Sequence, residues 1–196
     1  SGGIPGKVYA YDLSEAPRSF CEGNGADAAG CGDCPCSNDA SPGSTGGCLN
    51  VSGTSASLTV SGAPSLTNDA LRFELRGANP STFAVLVSAS QQAPANASNP
   101  CFGVNSGIAS PALRGLRCVV QDVRRQGTRA IDAQGSVGDS NAGWGGNDGP
   151  TAGLLAQGGL VAGQSRHFQA FYREGAAAIC QRDQNTTQGI SIIVRP

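Results

Sequence analysis

The sequence predicts an all-β fold, a β-sandwich stabilised by disulfide bonds, with a loop-rich and cysteine-dense N-terminal region. No segment of a dozen residues carries apolar side chains at the 3.6-residue spacing of an amphipathic helix. Glycine, which favours turns, accounts for 29 of the 196 residues. There are 8 cysteines, mostly in the segment 21–48, which has almost no apolar side chains to form a core and so needs crosslinks to become ordered.

Short segments bounded by Gly- and Asn-rich turns predict the strands. Residues 70–75 alternate cleanly, with Leu71, Phe73 and Leu75 on one face. Residues 83–88 are a continuous apolar run, which is typical of a central strand. The other predicted strands span residues 7–13, 56–60, 116–123, 128–132, 153–157, 165–173 and 189–194.

The length of the chain fits one domain with an elaborated end. We expect residues 1–20 to form an N-terminal extension with one strand. Residues 21–196 are expected to be a single β-sandwich domain, in which residues 21–50 form the disulfide-crosslinked loop region.

Charge and hydropathy exclude two classes of partner. The net charge is −1 and only 14% of the residues are charged, so no basic surface is expected to bind nucleic acid. No run of 18 apolar residues occurs, and a membrane span is therefore not expected.

The cysteines indicate an oxidising compartment, because an even number clustered in a core-poor segment is typical of exported proteins. The chain begins with Ser-Gly-Gly and contains no Met, as expected after removal of a signal peptide. We therefore expect a secreted or cell-surface protein. Zinc is the alternative for Cys31, Cys34, Cys36 and Cys48, but a second C-x-x-C arm is missing.

His167 is the only histidine, so any Ser–His–Asp or Cys–His mechanism would have to use it. It lies in the predicted strand 165–173, where alternation places it on one face with Gln169 and Phe171. No Gly-x-Ser-x-Gly motif is present. The two carboxylates of a glycoside hydrolase are defined by their distance in space and not by their spacing in sequence. A hydrolase therefore stays as the least favoured class. We expect no catalytic residue.

Trp144, the only tryptophan, lies in a glycine-rich segment. We favour a buried ring that closes one end of the core, with stacking on a sugar as the alternative. Three Asn-x-Ser/Thr triplets begin at Asn50, Asn96 and Asn185.

No cofactor is expected, and outside the cysteines Ca²⁺ is the ion that the sequence suits best. Carboxylate and amide oxygens, which Ca²⁺ prefers, are concentrated in two loops, although neither matches the EF-hand pattern and solvated turns explain them as well. These residues are Glu22, Asn24, Asp27 and Asp33 in the first loop and Asp139, Asn141, Asn147 and Asp148 in the second.

Several motifs after residue 20 resemble a family of uncharacterised secreted bacterial domains, often found as the C-terminal part of larger exported proteins. The motifs are Phe20-Cys21, residues 33–39 (DCPCSND), 47–50 (GCLN), 115–119 (GLRCV), 143–145 (GWG), 156–159 (AQGG) and 162–173 (AGQSRHFQAFYR). The family has no established activity to carry over. From simpler relatives that keep only the outer cysteines, the resemblance implies Cys21–Cys48 and Cys118–Cys180 disulfides, and it leaves the pairing of Cys31, Cys34, Cys36 and Cys101 open.

We expect a non-catalytic extracellular structural protein that assembles with copies of itself into a filament, coat or matrix. A strand with one row of large apolar side chains, N-terminal to the crosslinked region, could add to the sheet of a neighbouring subunit. The assembly strand consists of Lys7, Val8, Tyr9, Ala10, Tyr11, Asp12 and Leu13. The alternatives are that this strand completes its own sandwich, and that the chain is a carbohydrate-binding or adhesion module.

Overall fold

The structure, a computed structural model, describes residues 16–26, 30–102, 107–139, 142–146, 153–175 and 179–196. The predicted assembly strand, Lys7–Leu13, lies outside the described residues. The strands are β1 (Arg18–Phe20), β2 (Ser57–Ser61), β3 (Arg72–Arg76), β4 (Phe83–Ala89), β5 (Gln91–Gln92), β6 (Ile108–Ala109), β7 (Leu116–Arg117), β8 (Val119–Val120), β9 (Arg124–Ala130), β10 (Trp144–Gly145), β11 (Ser165–Arg173), β12 (Gln184–Thr186) and β13 (Gly189–Ile193). The helices are α1 (Leu154–Gln157) and the short 3₁₀ helix η1 (Ile179–Gln181).

The fold is an antiparallel, all-β sandwich with disulfide bonds, as predicted. A six-stranded sheet has the order β1-β13-β11-β4-β9, with β12 also paired to β11. A three-stranded sheet has the order β10-β3-β2. Two further ladders, β5-β8 and β6-β7, contain two strands each. In the part of the chain that the structure describes, no helix is long and apolar enough to cross a membrane.

The main core lies between the six-stranded and three-stranded sheets. Phe168, Ala170 and Tyr172 of β11 are buried in it, which confirms the predicted alternation of this strand. Phe73 of β3 stacks on Phe168 with ring centroids 4.5 Å apart. Full burial of such side chains stabilises the fold by roughly 1.5–3 kcal/mol each, so this interface holds the two sheets together.

The opposite face of the six-stranded sheet is covered by the cysteine-rich loop and by the chain around β7 and β8. A second hydrophobic cluster forms there, and it includes Phe20, Val87, Leu116 and Val119 together with cysteine side chains. The loop approaches closely, because a Cβ on Gly47 would lie 2.0 Å from the carbonyl oxygen of Thr186. The domain therefore has a third, crosslinked layer over part of its sheet.

Four disulfides fix this layer, and the described residues contain no free cysteine. The Cα atoms of the four pairs lie 5.6–6.1 Å apart, within the usual range. The pairs are Cys21–Cys118, Cys31–Cys101, Cys34–Cys48 and Cys36–Cys180.

The pairing that the family resemblance implies is therefore wrong for this chain. Cys48 bonds to Cys34 within the loop. Cys21 bonds instead to Cys118, in the second hydrophobic cluster. Cys180 is instead bonded to Cys36. The zinc alternative is also wrong, because all four proposed ligands are oxidised.

Three predicted strands differ from the structure. Residues 153–157 contain α1, whose first turn is capped by Asp69: its Oδ2 accepts bonds from the N–H groups of Leu155 and Ala156 at 2.6 and 3.1 Å. Residues 116–123 are broken into β7 and β8, because the N–H of Cys118 bonds to the side chain of Gln169 rather than to a strand. The strand predicted at 128–132 begins four residues earlier and ends at Ala130.

Candidate binding groove and the crosslinked face

A buried polar cluster of Arg114, Glu174 and Asn185 joins the crosslinked layer to the sheet. Arg114 and Glu174 form an ion pair with no exposed side-chain surface. The amide of Asn185 donates to Glu174 Oε1 at 2.5 Å and to the carbonyl of Leu49 at 3.2 Å. Burial raises the pKa of Glu174, and the bonds from Asn185 and Arg114 oppose that effect. The cluster thus ties the loop after Cys48 to the end of β11.

His167 lies half-buried on the face of β11 that the sequence predicted. Its Nδ1 is 2.7 Å from the hydroxyl of Ser191, and that hydroxyl also accepts a bond from Gln92 at 2.9 Å. The ring meets Phe20 edge-on at 5.8 Å. Burial, with a smaller contribution from the charge of Arg166, lowers the pKa of His167 to about 4. At neutral pH the ring is an uncharged member of a cross-strand contact and a weak base.

Trp144 occupies the main core with 0% of its surface exposed. Its indole N–H donates to the carbonyl of Gly127 in β9 at 2.9 Å, so its one polar group is satisfied. The favoured interpretation of a core-closing ring is therefore correct. The ligand-contact alternative for Trp144 is wrong, because a fully buried ring offers no face to a sugar.

The two oxygen-rich loops are only partly described: Asp27, Asn141, Asn147 and Asp148 lie outside the described residues. Among the residues that are described, no group of three or more His, Cys, Asp or Glu side chains could hold a metal ion. Glu22 accepts a bond from the hydroxyl of Ser19 at 2.6 Å. Asn24 donates to a backbone carbonyl of the same loop, that of Ser44, at 3.0 Å. These two side chains therefore stabilise their own turns.

The three Asn-x-Ser/Thr triplets differ in accessibility. Asn50 is 3% exposed and Asn185 is 0% exposed, and both amides are bonded to backbone carbonyls. Asn96 is exposed on a loop and accepts bonds from both the N–H and the hydroxyl of Ser98. Asn96 is therefore the one described triplet open to modification in the folded chain.

An elongated groove, here called the outer groove, lies on the outer face of the six-stranded sheet beside the crosslinked layer. It consists of a cavity of about 420 Å³ and an adjoining cavity of about 220 Å³. Both cavities share Val85, Arg125, Phe171 and Gln184. The first also includes Val87, Ser110, Ala112, Leu113, Arg117, Val119 and Val123, and the second includes Phe83, Tyr172 and Arg173.

The outer groove combines an apolar floor with positive charge. Phe83 and Val123, at its margins, are 60% and 45% exposed. Arg173 is paired with Asp183, and Asp122 is paired with arginines 124 and 166. In the described chain neither Arg117 nor Arg125 has a carboxylate partner, so the groove has unbalanced positive charge.

A β-bulge places Arg125 in this groove. Leu86 pairs with Gly127, but the next residue, Val87, pairs with Arg125, so that Gln126 is an extra residue in β9. Without the bulge, strand alternation would direct Arg125 toward the core. The sequence did not predict this groove for that reason, since residues 83–88 indicated only a continuous apolar run of a central strand.

Comparison with known proteins identifies no relative of this chain: no protein-family model, curated protein or solved structure matches it.

Proposed function

We propose that this chain is a non-catalytic extracellular structural module that assembles with copies of itself by strand addition. Four disulfides are consistent with an oxidising environment outside the cytoplasm. The donor is the segment Lys7–Leu13, and the acceptor is the outer edge of β9 in a neighbouring subunit.

One observation carries the proposal: β9 is the end strand of the described six-stranded sheet, and its residues 124–128 pair with no described strand other than β4. An end strand offers N–H and C=O groups to another chain. The other long candidate edge is less available, because the side chain of Gln188 bonds to both the N–H and the carbonyl of Leu58 in β2.

Charge favours addition of the N-terminal segment over pairing of two β9 edges. β9 carries Arg124, Arg125 and Arg129, so two such edges would repel each other. The donor segment instead has no net charge, because Lys7 and Asp12 balance, and its row of Lys7, Tyr9, Tyr11 and Leu13 is mostly apolar. The expected contact is therefore head-to-tail, which produces a polymer when the subunits do not close into a ring.

A single proline substitution tests this proposal by sedimentation velocity over a concentration series. Ala10→Pro removes a ladder donor from the segment, and we expect a folded, disulfide-intact monomer. Gly3→Pro, outside the strand, is the matched control and should assemble like the wild type.

Two results contradict the proposal. If wild-type protein remains monomeric at its highest soluble concentration, there is no self-assembly to explain. If Ala10→Pro lowers the stability of the domain, the strand completes its own sandwich.

A carbohydrate-binding or adhesion module is the second candidate, and the outer groove favours it because exposed aromatic and arginine side chains lie together there. A hydrolase is not proposed: in the described chain His167 has no carboxylate partner to orient it.

Membership of the family of secreted bacterial domains is also a proposal, supported by the way the quoted motifs meet. Gly47 and Gly115 approach the same residue, Thr186, so closely that a Cβ on either would clash with it. Motif cysteines 34, 36, 48 and 118 lie in the same crosslinked layer.

A further inference from the structure

We infer that the outer groove binds an acidic polysaccharide, with uronate carboxylates on Arg117 and Arg125 and sugar rings on the apolar floor. This inference rests on the second candidate function, adhesion to a glycan. It assigns the class of glycan and the residues that select it.

The guanidinium groups of Arg117 and Arg125 are available to bind an anion that the described chain does not supply. Arg117 lines the larger cavity and uses its Nε to bond the carbonyl of Val119 at 3.2 Å. Arg125 is exposed, and no described residue bonds to its side chain. Asp122 and Asp183 are already paired with other arginines. A guanidinium presents a planar fork of donors that matches a carboxylate in a bidentate arrangement.

The floor of the groove fits the faces of sugar rings. Val85, Val87 and Phe171 lie side by side on neighbouring strands, since Val85 pairs with Phe171 in the β4-β11 ladder. A pyranose ring has an apolar face of C–H groups and a rim of hydroxyls. The face would pack on Phe171, and the hydroxyls would bond to polar groups at the margin such as Gln184 and Ser110.

The length of the groove indicates a chain molecule rather than a single small ligand. The two cavities adjoin along β4 from Phe83 to Val87, a distance of about 13 Å at the usual rise per strand residue. A fatty-acid tail would be poorly covered here, because Val123 and Arg125 at the margin are open to water. A polysaccharide needs only one face covered.

Isothermal titration calorimetry tests the inference with oligogalacturonate as the acidic probe and a dextran oligosaccharide of equal length as the neutral one. We expect wild-type protein to bind oligogalacturonate and not dextran. Arg117→Gln and Arg125→Gln should each weaken binding about ten-fold, the expected effect of losing a charge-assisted hydrogen bond.

Two matched controls separate the groove from the rest of the surface. Arg76→Gln removes the same charge from the three-stranded sheet and should leave the affinity unchanged. Phe83→Ser should weaken binding, whereas Phe102→Ser, also exposed but outside the groove, should not.

The inference is overturned if oligogalacturonate does not bind, if dextran binds equally well, or if Arg76→Gln weakens binding as much as Arg125→Gln does. Equal binding of dextran sulfate would also overturn it, because the groove would then respond to charge and not to carboxylate geometry. Sedimentation velocity of the same variants without glycan measures self-assembly separately. The glycan-binding inference and the self-assembly proposal can therefore fail independently.

Discussion

The buried pair of Arg114 and Glu174 leads to a prediction in which two changes are less harmful than one. Replacing Arg114 with Met leaves the carboxylate of Glu174 buried without its cation. Breaking a buried ion pair in this way costs about 3–5 kcal/mol. Because Asn185 still donates to Glu174 at 2.5 Å, we expect the lower end, about 3 kcal/mol, in the free energy of unfolding.

Replacing both partners should restore most of that loss. The Nε and Nη2 atoms of Arg114 have no hydrogen-bond partner within the described structure, so the desolvation of this arginine is only partly compensated. The double variant Arg114→Met/Glu174→Met removes both charges, and the Asn185 amide loses its Glu174 acceptor but keeps its bond to Leu49. We expect it to be destabilised by about 1–2 kcal/mol, less than the single variant.

Guanidinium chloride unfolding with the disulfides intact measures these differences, and the fluorescence of Trp144 reports the transition. The exposed pair Arg173–Asp183 is the matched control: each side chain is 56% exposed, so Arg173→Met should cost less than about 1 kcal/mol. This prediction is wrong if Arg114→Met lowers the free energy of unfolding as little as Arg173→Met does. It is also wrong if the double variant is destabilised as much as Arg114→Met and Glu174→Met added together.

Two further predictions concern His167 and Trp144. An unfolded histidine has a pKa near 6.5 and the folded one has a pKa of about 4, so between these values the unfolded chain binds a proton that the folded chain excludes. His167 should therefore contribute a fall in stability of about 1–2 kcal/mol as the pH drops from about 6.5 to 4, after allowance for the half-exposed ring. His167→Gln should remove this contribution, which urea titrations over a pH series would measure. An unchanged slope would contradict the assignment. Because Trp144 is fully buried, its emission should resist quenching by iodide in native protein and become quenchable after unfolding, and native quenching equal to that of free tryptophan would show that the ring is exposed.

Sequence alternation was sufficient to predict the central strands. β11 spans the predicted residues 165–173, in which Phe168, Ala170 and Tyr172 alternate on the core face. The helix α1 was not predictable, since its capping group, Asp69, comes from a distant part of the chain. A local sequence pattern predicts which face of a strand each side chain occupies. It contains no information about contacts between residues that are remote in sequence.

The outer groove and the cysteine pairing share that difficulty. Arg125 faces the groove only because of the bulge at Gln126, which depends on how β9 pairs with β4. Cysteine pairing is likewise spatial, and a count of cysteines does not determine it. The short spacing of Cys34 and Cys36 gave no sign that one bonds to Cys48 and the other to Cys180.

Disulfide mapping is the decisive measurement for this fold, because the crosslinked layer positions both the polar cluster and the groove. Digestion of unreduced protein with trypsin and Asp-N endoproteinase would place Cys21 on residues 19–26, Cys31 on 27–32 and Cys48 on 39–68. Cys34 and Cys36 would share the fragment 33–38, and Cys118 would lie on 118–121. Mass spectrometry then identifies which fragments remain joined.

We predict that 19–26 is joined to 118–121, that 27–32 is joined to the fragment with Cys101, and that 33–38 is joined to both 39–68 and the fragment with Cys180. Free thiols, or a link between 19–26 and 39–68, would contradict the structure. The second result would restore the Cys21–Cys48 pairing that the family resemblance implied.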